Sequence, residues 1–235
     1  LVLADGKHSS ARAALGVHTD VVRYGQRGVA TRLQSDRPHA GLARQWFRSP
    51  DVLALLPFDR PLPGHSYGLV WSVPDARADE LLALSDTAFE QALMDATAGA
   101  AGTLQLTGER AAWPLTQARA DRVCGPGWVL VGDAAHVVHP LSGQGLNLGL
   151  ADVEALARVI AARESFRGLG DDKLLRRYAR ERYAPTRAMG HVTDGLLQLF
   201  ASEAHFAKEL RNRGLTLLDA LPPLKKLLTA QALQS

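Results

Sequence analysis

The chain has 235 residues, 46% of them hydrophobic and 22% charged, with a formal net charge of +3. Such a composition suits a globular protein long enough to bury a sizeable core, and so slight a charge, with no dense Lys/Arg block among aromatics, argues against a nucleic-acid partner. The single cysteine, Cys124, excludes an intrachain disulfide, and no apolar run reaches membrane-spanning length, so a soluble, cytoplasmic protein is expected.

Leu1-Val2-Leu3-Ala4 followed by Asp5-Gly6 reads as a strand entering a turn. A chain rarely opens inside a core strand, and this one opens without methionine, so it reads as the interior of a longer protein. Residues 9–15 predict a short helix. Strand-like runs follow at 28–33, 43–48, 52–58 and 67–73, the last two joined across the Pro/Gly cluster 60–64 as a hairpin. Asp86 is expected to cap a helix whose apolar face is Phe89, Leu93 and Ala96. Two short strands are predicted at 103–107 and 111–115, and a buried one at 128–132. From Gly143 the pattern is helical to the end, interrupted near Gly168-Leu169-Gly170 and again near Gly214 and Pro222-Pro223. The fold class is mixed α/β (α+β): a β-rich middle flanked by α/β pieces, without repeats.

Residues 129–147 read VLVGDAAHVVHPLSGQGLN. An apolar strand runs into Gly132-Asp133, and a Gly-rich turn then opens a helix at Gly143. The first amides of a helix lack intrahelical partners and carry its positive dipole end; Gly143 and Gly145 clear side chains from them. An ionised Asp133 at the carboxyl end of a strand accepts only, so its natural ligand partner is a hydroxyl. A ligand with a polyhydroxyl stretch beside an electron-rich edge fits both, and a flavin nucleotide has both. Taken alone, the segment also fits glycines needed only for helix packing.

A second segment, ADGKHSSAR at residues 4–12, has the form DGxxSxxR. These two segments, in this order with a strand-rich stretch between them, resemble the DG and GD motifs of the class A FAD-dependent aromatic hydroxylases, the p-hydroxybenzoate hydroxylase-like superfamily. GQGLNLGLADVEALA and RRYARERYAPTRAM are similar to its ubiquinone-biosynthesis branch. The resemblance implies an oxidoreductase, a flavoprotein monooxygenase with FAD as cofactor and NAD(P)H as electron donor. It implies Asp133 on the ribityl hydroxyls, and Gly143, Gln144, Gly145, Leu146 and Asn147 offering amides to the flavin pyrimidine edge. Pro140 would lie near the reacting ring, and Asp5 and Arg12 would belong to the DG motif beside the cofactor. The chemistry implied is oxygen transfer from a flavin C4a-hydroperoxide to an electron-rich aromatic ring, with no catalytic base named. His136 and His139 border this site; a packed or hydrogen-bonded histidine is the expected outcome for each.

The same resemblance divides the chain into a remnant of an FAD-binding, Rossmann-like domain at 1–20 and 103–165, a β-sheet substrate domain at 21–102, and C-terminal helices at 166–235. One departure stands out. The family begins with a strand, a GxGxxG turn and a helix that takes the cofactor pyrophosphate, and no such unit occurs here. The N-terminal βαβ is thus expected to be missing, FAD affinity to be strongly reduced, and the open edges to favour homo-oligomers.

A polyprenyl phenol on the way to ubiquinone is the expected substrate. A small soluble phenolic acid is the rival, to be favoured by a short pocket lined by Arg or Tyr; a non-catalytic scaffold subunit of a quinone-biosynthesis assembly is the third reading. No His/Cys/carboxylate cluster has metal-ligand spacing. Cys124 reads as a structural thiol, Trp46, Trp71 and Trp113 as core or pocket lining, and 173–182 as a solvated helix face with Leu174, Leu175 and Tyr178 beneath it. The stretch 196–228 reads as a packing helix, or as a surface peripheral to the inner membrane face or a partner enzyme.

Overall fold

Period-two alternation of apolar residues builds the larger of two sheets. A computed structural model describes residues 1–138 and 145–201, which divide into two units, one taking in Leu1–Val22 and Thr116–Leu199, the other Arg23–Leu115. Strands β2 (Thr19–Ser35) and β7 (Ala111–Ala120) pass from one unit into the other.

In the Arg23–Leu115 unit, β2 is followed by β3 (Arg44–Arg48), β4 (Asp51–Phe58) and β5 (Ser66–Pro74), with strand order β7-β2-β5-β4-β3 and β6 (Leu104–Leu106) beside the end of β2. The register Val29↔Trp71↔Leu53 and Thr31↔Leu69↔Leu55 puts the large side chains on one face. Two helices cover that face. They are α2 (Asp75–Ala83), through Ala78 and Leu81, and α3 (Asp86–Thr97), through Phe89 and Leu93. Sequence periodicity missed α2, whose nine residues show only two buried positions. Ser85, not Asp86, caps α3, its hydroxyl accepting from the Ala88 amide; Asp86 stands in the first turn, where a carboxylate favours the helix dipole.

In the other unit, β1 (Val2–Leu3) pairs in parallel with β9 (Trp128–Leu130), which pairs antiparallel with β8 (Cys124–Gly125). Strand β9 is buried on both sides, as its continuous apolar run demands. Trp128 and Leu130 join Leu3, Val17 and Ala135, on the side of the short helix α1 (Ser10–Ala14). Val129 and Val131 face Leu156 and Val159 of α4 (Gly145–Ala161) and Leu174, Leu175 and Tyr178 of α5 (Asp172–Ala201). The Tyr178 hydroxyl donates to the Leu130 carbonyl at 2.9 Å and locks α5 to the strand. Of the tryptophans, Trp71 is core and Trp46 packs at its edge, whereas Trp113 is 59% exposed and lines no core. Cys124 is half-buried, and burial, with Asp172 nearby, pushes its thiol up, away from the reactive thiolate.

Candidate functional site

Parallel pairing of β1 with β9 sets Val2 opposite Val129 and Leu3 opposite Leu130, and the Val131 amide donates to the Leu3 carbonyl at 3.0 Å. The two strands therefore end side by side, and the segments that follow them, Ala4–Gly6 and Gly132–Asp133, meet at the carboxyl edge of the sheet, where ligands of α/β sheets gather.

The first of these segments is held by its own side chains. Asp5 accepts from Ser9 Oγ at 2.5 Å and from the Ala11 amide at 3.3 Å, while Ser9 Oγ accepts from the Arg12 amide at 3.0 Å and caps α1. The Ser9 hydroxyl is the main reason the Asp5 carboxyl lies below its usual range. Arg12 donates to the Lys7 carbonyl at 3.0 Å and the Ala134 carbonyl at 2.8 Å, tying the first segment to the second. Asp5 and Arg12 thus shape the turn, and it is Ala4 and Gly6 that line the cleft beside it.

The second segment is a single 3-10 turn, Gly132–Ala134, with Gly132 at φ +60, a conformation that favours glycine. Gly132 faces Gly149 of α4: a Cβ on Gly149 would sit 3.4 Å from the Gly132 Cα. The turn and the helix meet here backbone to backbone. The result is a cleft of ≈ 620 Å³ lined by Ala4, Gly6, Gly132, Asp133, Gly145 and Leu146 among others. Asp133 is exposed in it, and at Gly6 and Gly145 an added Cβ would stand in open space. Gly145, Leu146 and Asn147 are the first residues of α4, the end at which a helix carries its positive dipole. Of the residues singled out in the sequence, the fold brings together Asp5, Arg12, Asp133, Gly145, Leu146 and Asn147; Pro140, Gly143 and Gln144, with His139, lie outside the described residues.

One organiser of the site escaped the sequence. Asp152, on the inner face of α4, is 0% exposed and accepts from the Gly132 amide at 2.9 Å, His136 Nε2 at 2.8 Å and Arg182 Nε at 2.7 Å. Arg182 also donates to the Leu148 carbonyl at 3.3 Å. Burial alone would raise the Asp152 carboxyl, but the donors outweigh it and hold the group below its usual range. His136, in the short strand β10 (His136–Val137), is accordingly a hydrogen-bonded structural residue. Arg182 departs from the solvated face expected for 173–182 and turns inward to an ion pair. The signal was present: a lone acid four residues after Leu148 on an otherwise apolar helix face has to find donors when buried.

The residues fit the flavin that the motifs imply. Asp133 offers an acceptor for hydroxyls, the α4 start offers its positive dipole end to an anionic edge, and the glycines leave a cradle that side chains would fill.

Comparison with known proteins agrees. The sequence profile of the family described as FAD binding domain matches residues 1–192. Ubiquinone hydroxylase UbiL of Rhodospirillum rubrum is 32% identical over 234 residues, covering 99% of this chain and 54% of UbiL. The human mitochondrial ubiquinone biosynthesis monooxygenase COQ6 is 31% identical over 268 residues, covering 99% of this chain and 56% of COQ6. The chain therefore spans about half the length of the curated relatives it matches. Among solved structures, p-nitrophenol 4-monooxygenase PnpA from Pseudomonas putida DLL-E4 shares the fold, with a TM-score of 0.75 and 20% identity over 100% of this chain and 59% of that one.

Proposed function

We propose, from the premise that this chain belongs to the FAD binding domain family, that its protein is a flavin-dependent monooxygenase hydroxylating the ring of a polyprenyl phenol in ubiquinone biosynthesis. The observation that carries this reading is the convergence of Ala4–Gly6, Gly132–Asp133 and the start of α4 on one cleft. The names of the relatives, ubiquinone hydroxylase and ubiquinone biosynthesis monooxygenase, supply the substrate class.

When bound, the flavin supplies reduction by NAD(P)H and the activation of dioxygen. The chain's own residues supply position and charge. Asp133 would accept from the ribityl hydroxyls, and the helix start at Gly145, Leu146 and Asn147, with Gly143 and Gln144 before it in sequence, would serve the pyrimidine edge. The dipole of α4 favours negative charge there. Pro140 would border the reacting ring. Asp152, reaching Gly132 across the helix, keeps the turn and α4 in register. The Arg23–Leu115 unit serves as the substrate sheet.

Titration of the 235-residue chain with FAD, followed by flavin fluorescence, tests the reading. Saturable binding that weakens about ten-fold or more in Asp133→Ala, as the loss of a charge-assisted hydrogen bond requires, supports it. Binding indifferent to Asp133 sinks the assignment of the cleft. Turnover of a polyprenyl phenol against 4-hydroxybenzoate by the whole protein separates the proposed substrate from a soluble phenolic acid, and no turnover of either favours a scaffold subunit.

A further inference from the structure

Beyond that cleft, α5 and the segment leading from β7 to β8 enclose a second cavity of ≈ 410 Å³, and the two share no lining residue. Its size suits a molecule of one or two rings. What distinguishes it is charge. Arg119, Arg122, Arg182 and Arg187 line it, against two carboxylates, Asp121 and Asp152. Arg182 and Asp152 neutralise each other at 2.7 Å. Among the described residues, no carboxylate stands within ion-pair distance of Arg119, Arg122 or Arg187.

Arg187 is posed by an uncharged group. It donates to the Tyr183 hydroxyl at 2.9 Å with its guanidinium 5.3 Å from that ring's centroid. The Arg122 guanidinium is engaged elsewhere, at the Leu15 and Gly16 carbonyls at 3.3 and 3.4 Å and 5.8 Å from the Trp128 ring centroid, on the α1 side of β9. Arg119, on the exposed side of β7, makes no side-chain hydrogen bond among the described residues. A guanidinium fixed by stacking keeps donors to spare, and a planar oxyanion satisfies them in pairs. Ala120, Val123 and the Tyr183 ring supply an apolar wall.

We propose that this cavity is a binding site for a small organic anion, a carboxylate or phosphate carried on an aromatic or aliphatic body, held by Arg119 and Arg187. The site is separate from the cleft and does not rest on the flavin reading. His136 and Asp152 line it too, so its occupant would touch the same pair that anchors Gly132.

Isothermal titration of the 235-residue chain with sodium benzoate and with sodium phosphate, at an ionic strength held constant with NaCl, tests it. Saturable binding of either anion is expected, weakened about ten-fold or more in the Arg119→Gln/Arg187→Gln double variant, since charge-assisted bonds carry the affinity. Arg119→Lys/Arg187→Lys, which keeps the charge and loses the fork, should bind between the two. Preference for benzoate assigns a carboxylate ligand, and preference for phosphate a phosphate ester. No saturable binding of either anion, or equal binding by wild type and the Gln variant with unchanged circular dichroism, overturns the proposal.

Discussion

Replacing Asp152 by alanine removes one carboxylate and orphans three donors: the Gly132 amide, His136 Nε2 and Arg182 Nε, all within 2.9 Å of it. The Arg182 side chain is only 12% exposed and His136 only 10%. Neither can turn fully to water, so the cost is that of a buried charge left alone, about 3–5 kcal/mol. A chain of this size loses about 2–4 °C of melting midpoint per kcal/mol, which predicts a fall of roughly 10 °C, followed by circular dichroism. Asp152→Ala/Arg182→Met is the informative partner variant. An apolar replacement of the pair removes the stranded guanidinium along with the acid, so the double variant should melt above Asp152→Ala. Folding depresses the Asp152 carboxyl, so its contribution is complete above the unfolded carboxylate range, near 3.9, and is lost as pH falls through the lower folded value. Wild type and Asp152→Ala should therefore converge in acid. A loss below about 1 kcal/mol at neutral pH, as for an ordinary surface pair, would refute the reasoning.

The Gly132–Gly149 contact predicts a contrast: Gly149→Ala, with its Cβ at 3.4 Å from the Gly132 Cα, should fold with little change, while Gly149→Val should cost about 1–3 kcal/mol in chemical denaturation through overpacking. Equal behaviour of the two would mean the helix shifts freely. Arg12→Met removes the donors that join the Lys7 and Ala134 carbonyls; a loss of about 1.5–3 kcal/mol is expected on urea denaturation, and an unchanged midpoint would show that the two segments hold without the bridge. Glu164, bonded to Arg177 at 2.5 Å, has its carboxyl lowered to about 2 from 4.5. That support is present above 4.5 and lost as pH falls toward 2, so Glu164→Gln should flatten the melting-versus-pH curve in that window; an identical curve would dissolve the pair as a stabiliser.

What the chain disclosed in advance follows from how local each signal is. Strands 43–48, 52–58 and 67–73 and the short helix at 9–15 were legible because alternation and a Ser cap act within a few residues. The DG and GD segments were legible as motifs, but their meeting depends on the parallel pairing of β1 with β9, which joins residues 127 apart. No local pattern announces a partner at that range. Asp152 and Arg182 hid for a similar reason. The apolar face around Asp152 on α4 demands donors, but only the docking of the helices makes Arg182 of α5 one of them. The two-residue strands β8 and β10 are too short for any periodicity, and β7 outran its predicted end at 115, continuing to Ala120.

Because β2 and β7 run across the boundary at Val22 and Thr116, exchanging the 23–115 block between relatives would splice the chain inside strands and not in loops. A graft of this kind obeys an arithmetic of odd and even. An insertion or deletion of one residue at either seam would invert which side chains look inward along the whole strand, whereas a change of two would leave the faces as they were. Length polymorphism at these seams should therefore come in pairs of residues, with free variation in length confined to the turns between β3 and β4 or β4 and β5.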